Sequence, residues 1–166
     1  MKKNIRWVVK DDIKEIAEIE KNCFSHPWNE KDFIECLSDK NRICKVIEEE
    51  SKVIGFMVYE LKNKKFEILN IGIKPELQKK GYGKVLVSQL TDKLQNGHRT
   101  EIDVLICDKY LEGHLFFKKL GFKALWIEKD FFSENNEKND AYFFNYTTKK
   151  EIIQKERCIL EQNEKG

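Results

Sequence analysis

Ile68-Leu69-Asn70-Ile71-Gly72-Ile73-Lys74-Pro75-Glu76-Leu77-Gln78-Lys79-Lys80-Gly81-Tyr82-Gly83-Lys84, continued by Val85-Leu86-Val87-Ser88-Gln89-Leu90-Thr91-Asp92-Lys93-Leu94, is the stretch that decides how this chain folds. The run up to Ile73 is apolar and β-branched, which reads as a buried strand. Pro75 breaks it, and a short linker leads to Gln78-Lys79-Lys80-Gly81-Tyr82-Gly83. Beyond the turn, Val85, Leu86, Leu90 and Leu94 recur at helical spacing. The unit is therefore strand, glycine-bearing turn, helix. A helix start carries unpaired N–H groups and the positive end of the dipole, so it attracts phosphate. Gly81 and Gly83 allow close backbone approach, and Lys79, Lys80 and Lys84 add positive charge. A dinucleotide fingerprint would need G-x-G-x-x-G and a P-loop G-x-x-x-x-G-K-[ST]; the chain has neither.

The remaining composition bounds the answer. A chain of 166 residues suits one domain with a sizeable core. Net charge is only +2, with basic and acidic residues mixed, so no basic signature for nucleic acid exists. No apolar run approaches the roughly 20 residues that span a bilayer. The basic start Met1-Lys2-Lys3 is followed by no apolar h-region, so no signal peptide is expected. Cys23, Cys36, Cys44, Cys107 and Cys158 are odd in number and lack C-x-x-C spacing. That pattern predicts neither a disulfide framework nor a metal site, and suits reduced thiols in a cytoplasmic protein.

Outward from the central stretch, Ile5 to Val9 reads as a first strand. Asp11-Asp12 caps a helix running to about Cys23, and Asn29 caps a second running through Leu37, with Phe33, Cys36 and Leu37 as its apolar stripe. Ile43 to Glu48 and Lys52 to Leu61 form a hairpin, and Phe66 to Ile73 is the central strand. Asn96-Gly97 ends the following helix. Thr100 to Cys107 is a strand, Asp108 caps a short helix to Leu120, and Phe122 to Glu128 and Ala141 to Thr147 are two last strands. The polar segment Ser133 to Asn139 reads as the loop joining them. Residues 149–166 form a charged tail with apolar residues spaced for a marginal helix, leaving 1–148 as the domain. The order βααββ–βα–βα–ββ implies an α+β domain.

Gln78-x-x-Gly81-x-Gly83 resembles the pyrophosphate loop of the GNAT superfamily, the acetyl-CoA-dependent N-acetyltransferases, and the element order is the GNAT order. Three further stretches resemble its RimI branch, the protein N-terminal acetyltransferases: His26-Pro27-Trp28-Asn29-Glu30-x-x-Phe33, Leu69-Asn70-Ile71-Gly72-Ile73-x-Pro75-x-x-Gln78, and Leu115-Phe116-Phe117-Lys118-x-Leu120-Gly121-Phe122 with Asp140-Ala141 beyond. The resemblance covers roughly residues 5–147. It implies a single-domain α+β GNAT fold whose mixed, mostly antiparallel sheet carries a splayed parallel pair of strands. It also implies that Ile71, Gly72 and Ile73 pair with the pantetheine amides of acetyl-CoA. Gln78, Lys79, Lys80, Gly81, Tyr82, Gly83 and Lys84 would then hold its pyrophosphate, and Phe117 would pack near the thioester. His26 and Trp28 would flank the acceptor amine, either a protein N-terminus or a small amine.

The chain departs from that branch at its chemistry. RimI-type enzymes carry a Glu in L-E-V-R-x-x-N and a Tyr in L-Y-x-x-L-G-F. Gapless alignment between Gly83 and Gly121 puts Leu105, Tyr110 and Phe117 at the Glu, Asn and Tyr positions. Phe117 has no hydroxyl and reads as a core aromatic. Sliding the strand by two residues would bring Asp103 to the Glu position at the cost of an insertion before Leu115. Glu67, eleven residues before Gln78, stands where the histone-acetyltransferase branch carries its general base; a solvated edge residue and a water relay remain the alternatives. His98 and His114 read as surface residues. The expected activity is acetyl transfer to a primary amine, without metal, membrane or nucleic acid. The alternative is an acyl-CoA-binding module that has lost efficient transfer.

Overall fold

Among the described residues, seven strands and four α-helices follow one another in the expected order. The computed structural model describes residues 3–134 and 137–148, so the expected tail helix over 149–166 lies outside the described residues. The chain divides into two units, Met1–Thr91 and Asp92–Gly166.

In the first unit, β1 (Lys3–Trp7), β2 (Arg42–Glu49), β3 (Lys52–Leu61) and β4 (Lys65–Ile73) pair antiparallel in that order. The β2–β3 turn is Glu50-Ser51, both at positive φ (51° and 63°). This is the backbone twist that two-residue hairpin turns require, made here without glycine. Helices α1 (Ile13–Cys23) and α2 (Glu30–Ser38) cover one sheet face. Ile13, Ile16, Ile19, Phe33, Cys36, Val46, Phe56 and Val58 form the core between them. Leu37 was expected in that stripe but is 40% exposed. Asn29 caps α2 as predicted, accepting from the Lys31 and Asp32 N–H groups, while the Asp32 carboxylate accepts the Asn29 N–H in return.

The expected cap at Asp12 is different. Its side chain makes no cap bond to α1. It turns back to accept from the Val9 N–H (2.8 Å) and from Arg6 Nη1 and Nη2 (2.7 and 2.9 Å). Arg6 also donates through Nε to Glu48 on β2. A bidentate guanidinium is a stronger partner than a helix-end amide, so the charge pair wins and the carboxylate ties β1 to the start of α1.

β4 contains one extra residue. Val58 pairs with Asn70, but Tyr59 pairs with Ile68, leaving Leu69 bulged. Because side chains alternate between faces, the bulge puts Glu67 on the face of Asn70 and Gly72, toward the helices. Phe66 and Ile68 face the other way.

Helix α3 (Tyr82–Asn96) follows the central turn. It ends where expected, but Gly97 does not take a left-handed φ. Glycine fits there because a Cβ would lie 2.9 Å from the Lys93 carbonyl oxygen.

In the second unit, β5 (Glu101–Cys107), β7 (Glu137–Thr147) and β6 (Lys123–Glu134) pair antiparallel with β7 in the middle, and α4 (Leu111–Lys119) follows β5. Tyr110, not Asp108, stands at the N-cap of α4, without a side-chain cap bond. Asp108 is engaged elsewhere: its N–H donates to the Asp140 carbonyl, and its carboxylate accepts from the Cys107 thiol. The expected loop Ser133 to Asn139 is overturned, since pairing continues through Phe132–Asn139, Ser133–Lys138 and Glu134–Glu137. Main-chain bonds between two neighbouring strands need no apolar side chains, so a polar sequence does not stop a hairpin. A wide bulge interrupts β6 between Glu128 and Phe132, with Asp130 at φ 53°; the Asp140 carboxylate spans it, accepting from the Asp130 N–H and Lys129 Nζ.

Asp12→Asn should lower stability by about 1–3 kcal/mol at neutral pH, the range for a hydrogen bond to a charged partner. Arg6 lowers the Asp12 pKa below 3.8, chiefly through its hydrogen bonds. The pair's contribution is therefore present above that value and lost as the pH falls below it, through the lowered folded pKa. Denaturant titrations of both proteins between pH 2 and 7 should show the gap closing at the acid end.

Candidate active site

The strand–turn–helix unit is held together by one carbonyl. Ile73 O, at the end of β4, accepts from Gln78 Nε2 (3.1 Å) and from the Cys23 thiol of α1 (3.2 Å). Gln78 Nε2 also lies 3.7 Å from Cys23 Sγ. Burial is the main cause that pushes the Cys23 thiol pKa up, so it is held as a neutral donor. Gln78 thus spends its side chain on fastening the loop to the strand rather than on reaching outward.

The turn itself is open. Lys79 and Gly81 have positive φ (61° and 88°), and a Cβ on Gly81 would meet nothing within 4 Å. Val85 N–H donates to Gly81 O, which starts the helix. Tyr82, Gly83 and Lys84 therefore present the N–H groups that a helix leaves without intrahelical acceptors. Lys79, Lys80 and Lys84 are exposed around them. The Tyr82 side chain goes elsewhere: it is buried, its hydroxyl donates to Glu49 Oε1 (2.7 Å), and Lys3 Nζ sits over its ring. Only the backbone of Tyr82 faces the turn's chemistry.

On β4, Lys74 N–H donates to Ile54 O. Antiparallel alternation then gives Gly72 and Asn70 to β3, while Ile71 and Ile73 direct their backbone groups toward the opposite edge. Gly72 is a glycine for a packing reason, since a Cβ there would lie 2.8 Å from the Phe56 ring and 3.5 Å from Ile19.

Glu67 lies at the β3–β4 end of this face, opposite Glu60. Lys62 Nζ is 3.7 Å from its Oε2. Trp28 is half-buried and packs edge-on against Phe33 (5.5 Å), as a core anchor. His26 is exposed, with Nδ1 3.2 Å from Ser25 Oγ.

One group was missed by sequence reasoning. Glu20, on α1, is only 2% exposed. Its Oε1 accepts the Trp28 N–H (3.1 Å) and the Asn70 Nδ2 (3.0 Å). Burial raises its pKa, and the bonds from Asn70 and Trp28 oppose that rise. Helical spacing puts Glu20 on a mixed face with Ile13, Ile16, Ala17 and Ile19, but only the tertiary structure shows which groups its carboxyl meets.

In the second unit, Asp103 is buried and accepts from Asn145 Nδ2 (2.7 Å), its cross-strand neighbour. Thr147 Oγ1 donates to Asn145 Oδ1 and so fixes that amide. Phe117 is buried in a ring cluster with Phe116 and Phe122, the expected core aromatic. β5 pairs with β7 without a register shift, and Leu105 on it is half-buried. His114 is not a surface residue: Nε2 bonds Cys107 O (2.9 Å) and its ring packs against Tyr142 and Phe144. Among the described residues, no group of three His, Cys, Asp or Glu side chains is placed to hold a metal ion.

The model of the Acetyltransferase (GNAT) family matches residues 13–122. The chain belongs to the GNAT acetyltransferase family. This GNAT enzyme is 27% identical over 130 residues, 76% of its own length and 85% of the other's, to a Bacillus subtilis protein provisionally named [ribosomal protein bS18]-alanine N-acetyltransferase. Its fold is that of the Escherichia coli ribosomal-protein-S18-alanine N-acetyltransferase, with a TM-score of 0.78 at 18% identity, covering 88% of this chain and 94% of that one. It is also that of Arabidopsis thaliana NAA60 solved with acetyl-CoA, with a TM-score of 0.76 at 14% identity, covering 88% and 98%. The GNAT enzyme is thus an acetyl-CoA-dependent N-acetyltransferase of α+β fold, as the sequence implies.

The turn fits a diphosphate: an open glycine, outward N–H groups at a helix start and three exposed lysines. When bound, acetyl-CoA supplies an activated thioester carbonyl and a thiol that leaves readily. Two glycines then separate by experiment. Gly81→Ala should weaken acetyl-CoA binding about tenfold or more in calorimetry and lower stability by about 1–2 kcal/mol, the cost of an L side chain at φ 88°. Gly72→Ala should destabilise by about 1–3 kcal/mol through overpacking against Phe56.

Proposed function

We propose that this enzyme acetylates the α-amine of a protein N-terminus by direct attack within a ternary complex. The likeness over 130 residues to a relative named for the alanine of ribosomal protein bS18 carries this reading. The amine must be neutral to attack, so a base takes its proton. We give that role to Glu67, acting directly or through one water. It shares the β4 face of Asn70 and Gly72 and is half exposed, whereas Asp103 is buried and committed to Asn145. Backbone N–H groups of Ile71 and Ile73, directed away from β3, stabilise the developing oxyanion and receive the pantetheine amides, while Gly72 is committed to β3. The N–H groups and lysines between Gln78 and Lys84 hold the pyrophosphate. Phe117, buried in its ring cluster, carries no hydroxyl and donates no proton. His26 and Trp28 belong to the α1–α2 turn that borders the acceptor. A cytoplasmic setting accords with scattered cysteines outside C-x-x-C spacing; among the described residues, no helix is long and apolar enough to cross a membrane.

A library of peptides with free N-termini, assayed for thiol release from acetyl-CoA, tests the reading. N-terminal alanine peptides should give turnover, and Glu67→Gln should slow it by about 100-fold or more, the lower end for loss of a general base. Binding of acetyl-CoA without thiol release from any peptide or small amine would favour the binding-module alternative.

A further inference from the structure

Glu20 is a buried carboxyl that the transfer chemistry above does not use. It lies on the helix face packed against the sheet, and its two bonds end at separate places. One is the Trp28 N–H, in the α1–α2 turn that carries His26; the other is the Asn70 side chain, beside the β4 bulge. Its second oxygen, Oε2, is buried with no hydrogen-bond partner among the described residues. A tie kept for stability alone would be satisfied at both oxygens, because a half-paired buried carboxyl is costly to the fold. Within this unit, the two ends that Glu20 joins are the turn bordering the acceptor and the strand stretch that carries Glu67, Gly72 and Ile73.

We propose that Glu20 is a positioning residue of the acetyl transfer. Its carboxyl fixes the α1–α2 turn against the bulged segment of β4, and so sets where the acceptor lies relative to Glu67 and the β4 backbone. It touches neither substrate. The bulge matters to this role: Leu69 is the unpaired residue, so the ladder alone leaves Asn70 less constrained than a residue in regular pairing. The Asn70 side-chain amide donates a hydrogen bond across to Glu20 on α1 at that point. Burial raises the Glu20 pKa, which accords with a carboxyl that serves by accepting two N–H bonds rather than by exchanging protons with solvent.

This inference rests on the transfer reading above. The test measures acetyl-CoA Kd, acceptor KM and kcat separately for the parent, Glu20→Ala, Glu20→Gln and Asn70→Ala, with an N-terminal alanine peptide as acceptor. Glu20→Ala should raise acceptor KM about tenfold and lower kcat, since small misplacements of reacting groups are expensive, while acetyl-CoA Kd stays within about twofold. Glu20→Gln should recover most of that loss, because a single amide oxygen can accept both N–H bonds. Asn70→Ala, which removes one tie only, should raise acceptor KM by a smaller factor, and it decides the matter if Glu20→Ala does not fold. The inference is overturned if acceptor KM is unmoved in these variants, if acetyl-CoA Kd rises in step with it, or if Glu20→Gln is as impaired as Glu20→Ala. A parent protein that binds acetyl-CoA yet acetylates no amine would sink the transfer reading and this role together; an active parent with indifferent variants would sink this role alone.

Discussion

One carbonyl group decides where strand becomes loop in the ligand-binding half of this enzyme. Ile73 O ends β4 and receives two side-chain donors, Gln78 from ahead in the chain and Cys23 from α1. A strand end otherwise leaves its outward carbonyl to solvent or to the next strand. Here it is the peg to which the loop is pinned, so the loop leaves β4 in one direction and α3 begins at a fixed place. The positive φ at Lys79 and Gly81 then turns the N–H groups of the helix start outward. Gln78 in the Q-x-x-G-x-G pattern serves the geometry of the turn through its side chain, while the glycine and the backbone amides are left open for the proposed diphosphate.

The same economy of means governs the first unit's polar groups. Asp12 stands just ahead of α1 and Glu20 lies within it, near its far end, both nearly sealed from water. Arg6 grips Asp12 and pulls its pKa down, chiefly by hydrogen bonding. Glu20 meets only neutral donors, so desolvation dominates and its pKa rises. A charged partner thus distinguishes a carboxylate that anchors strand to helix from a carboxyl that bridges two neutral segments.

Much of this architecture is legible in the sequence, because the relevant signals are local. Asn29 followed by Asp32 reads as a helix start, and the backbone bonds are the ones such a pair makes. The apolar run to Ile73, the proline and the paired glycines likewise specify strand, stop and turn within a few residues. Signals that depend on partners far along the chain are not legible. Asp12 looks like a cap until Arg6 is brought beside it. Asp108 looks like one too, but its groups are occupied by Asp140 and Cys107. Ser133 to Asn139 reads as a loop because it is polar, yet its backbone continues the β6–β7 ladder. Glu20 falls at helical spacing on the face of Ile13, Ile16 and Ala17, but nothing local names the distant Asn70 that its carboxyl meets. Tyr82 lies inside the ligand-binding motif, and nothing nearby says that its ring turns away toward Glu49 and Lys3.

The single surplus residue at Leu69 has a consequence for how such an enzyme changes over time. Pairing of Asn70 with Val58 and of Ile68 with Tyr59 means that everything upstream on β4 is turned over relative to an unbroken ladder. Were Leu69 drawn into regular pairing instead, Glu67 would pass to the opposite side of the sheet and its neighbours Phe66 and Ile68 would come around in its place, whereas losing Leu69 would leave Ile68 opposite Tyr59 and Glu67 opposite Glu60. No substitution would be needed to remove the carboxylate from the helix side. Register is thus an inherited variable in its own right: a one-residue slip of pairing can hand a sheet surface a proton acceptor, or withdraw it, while the side-chain alphabet stays the same.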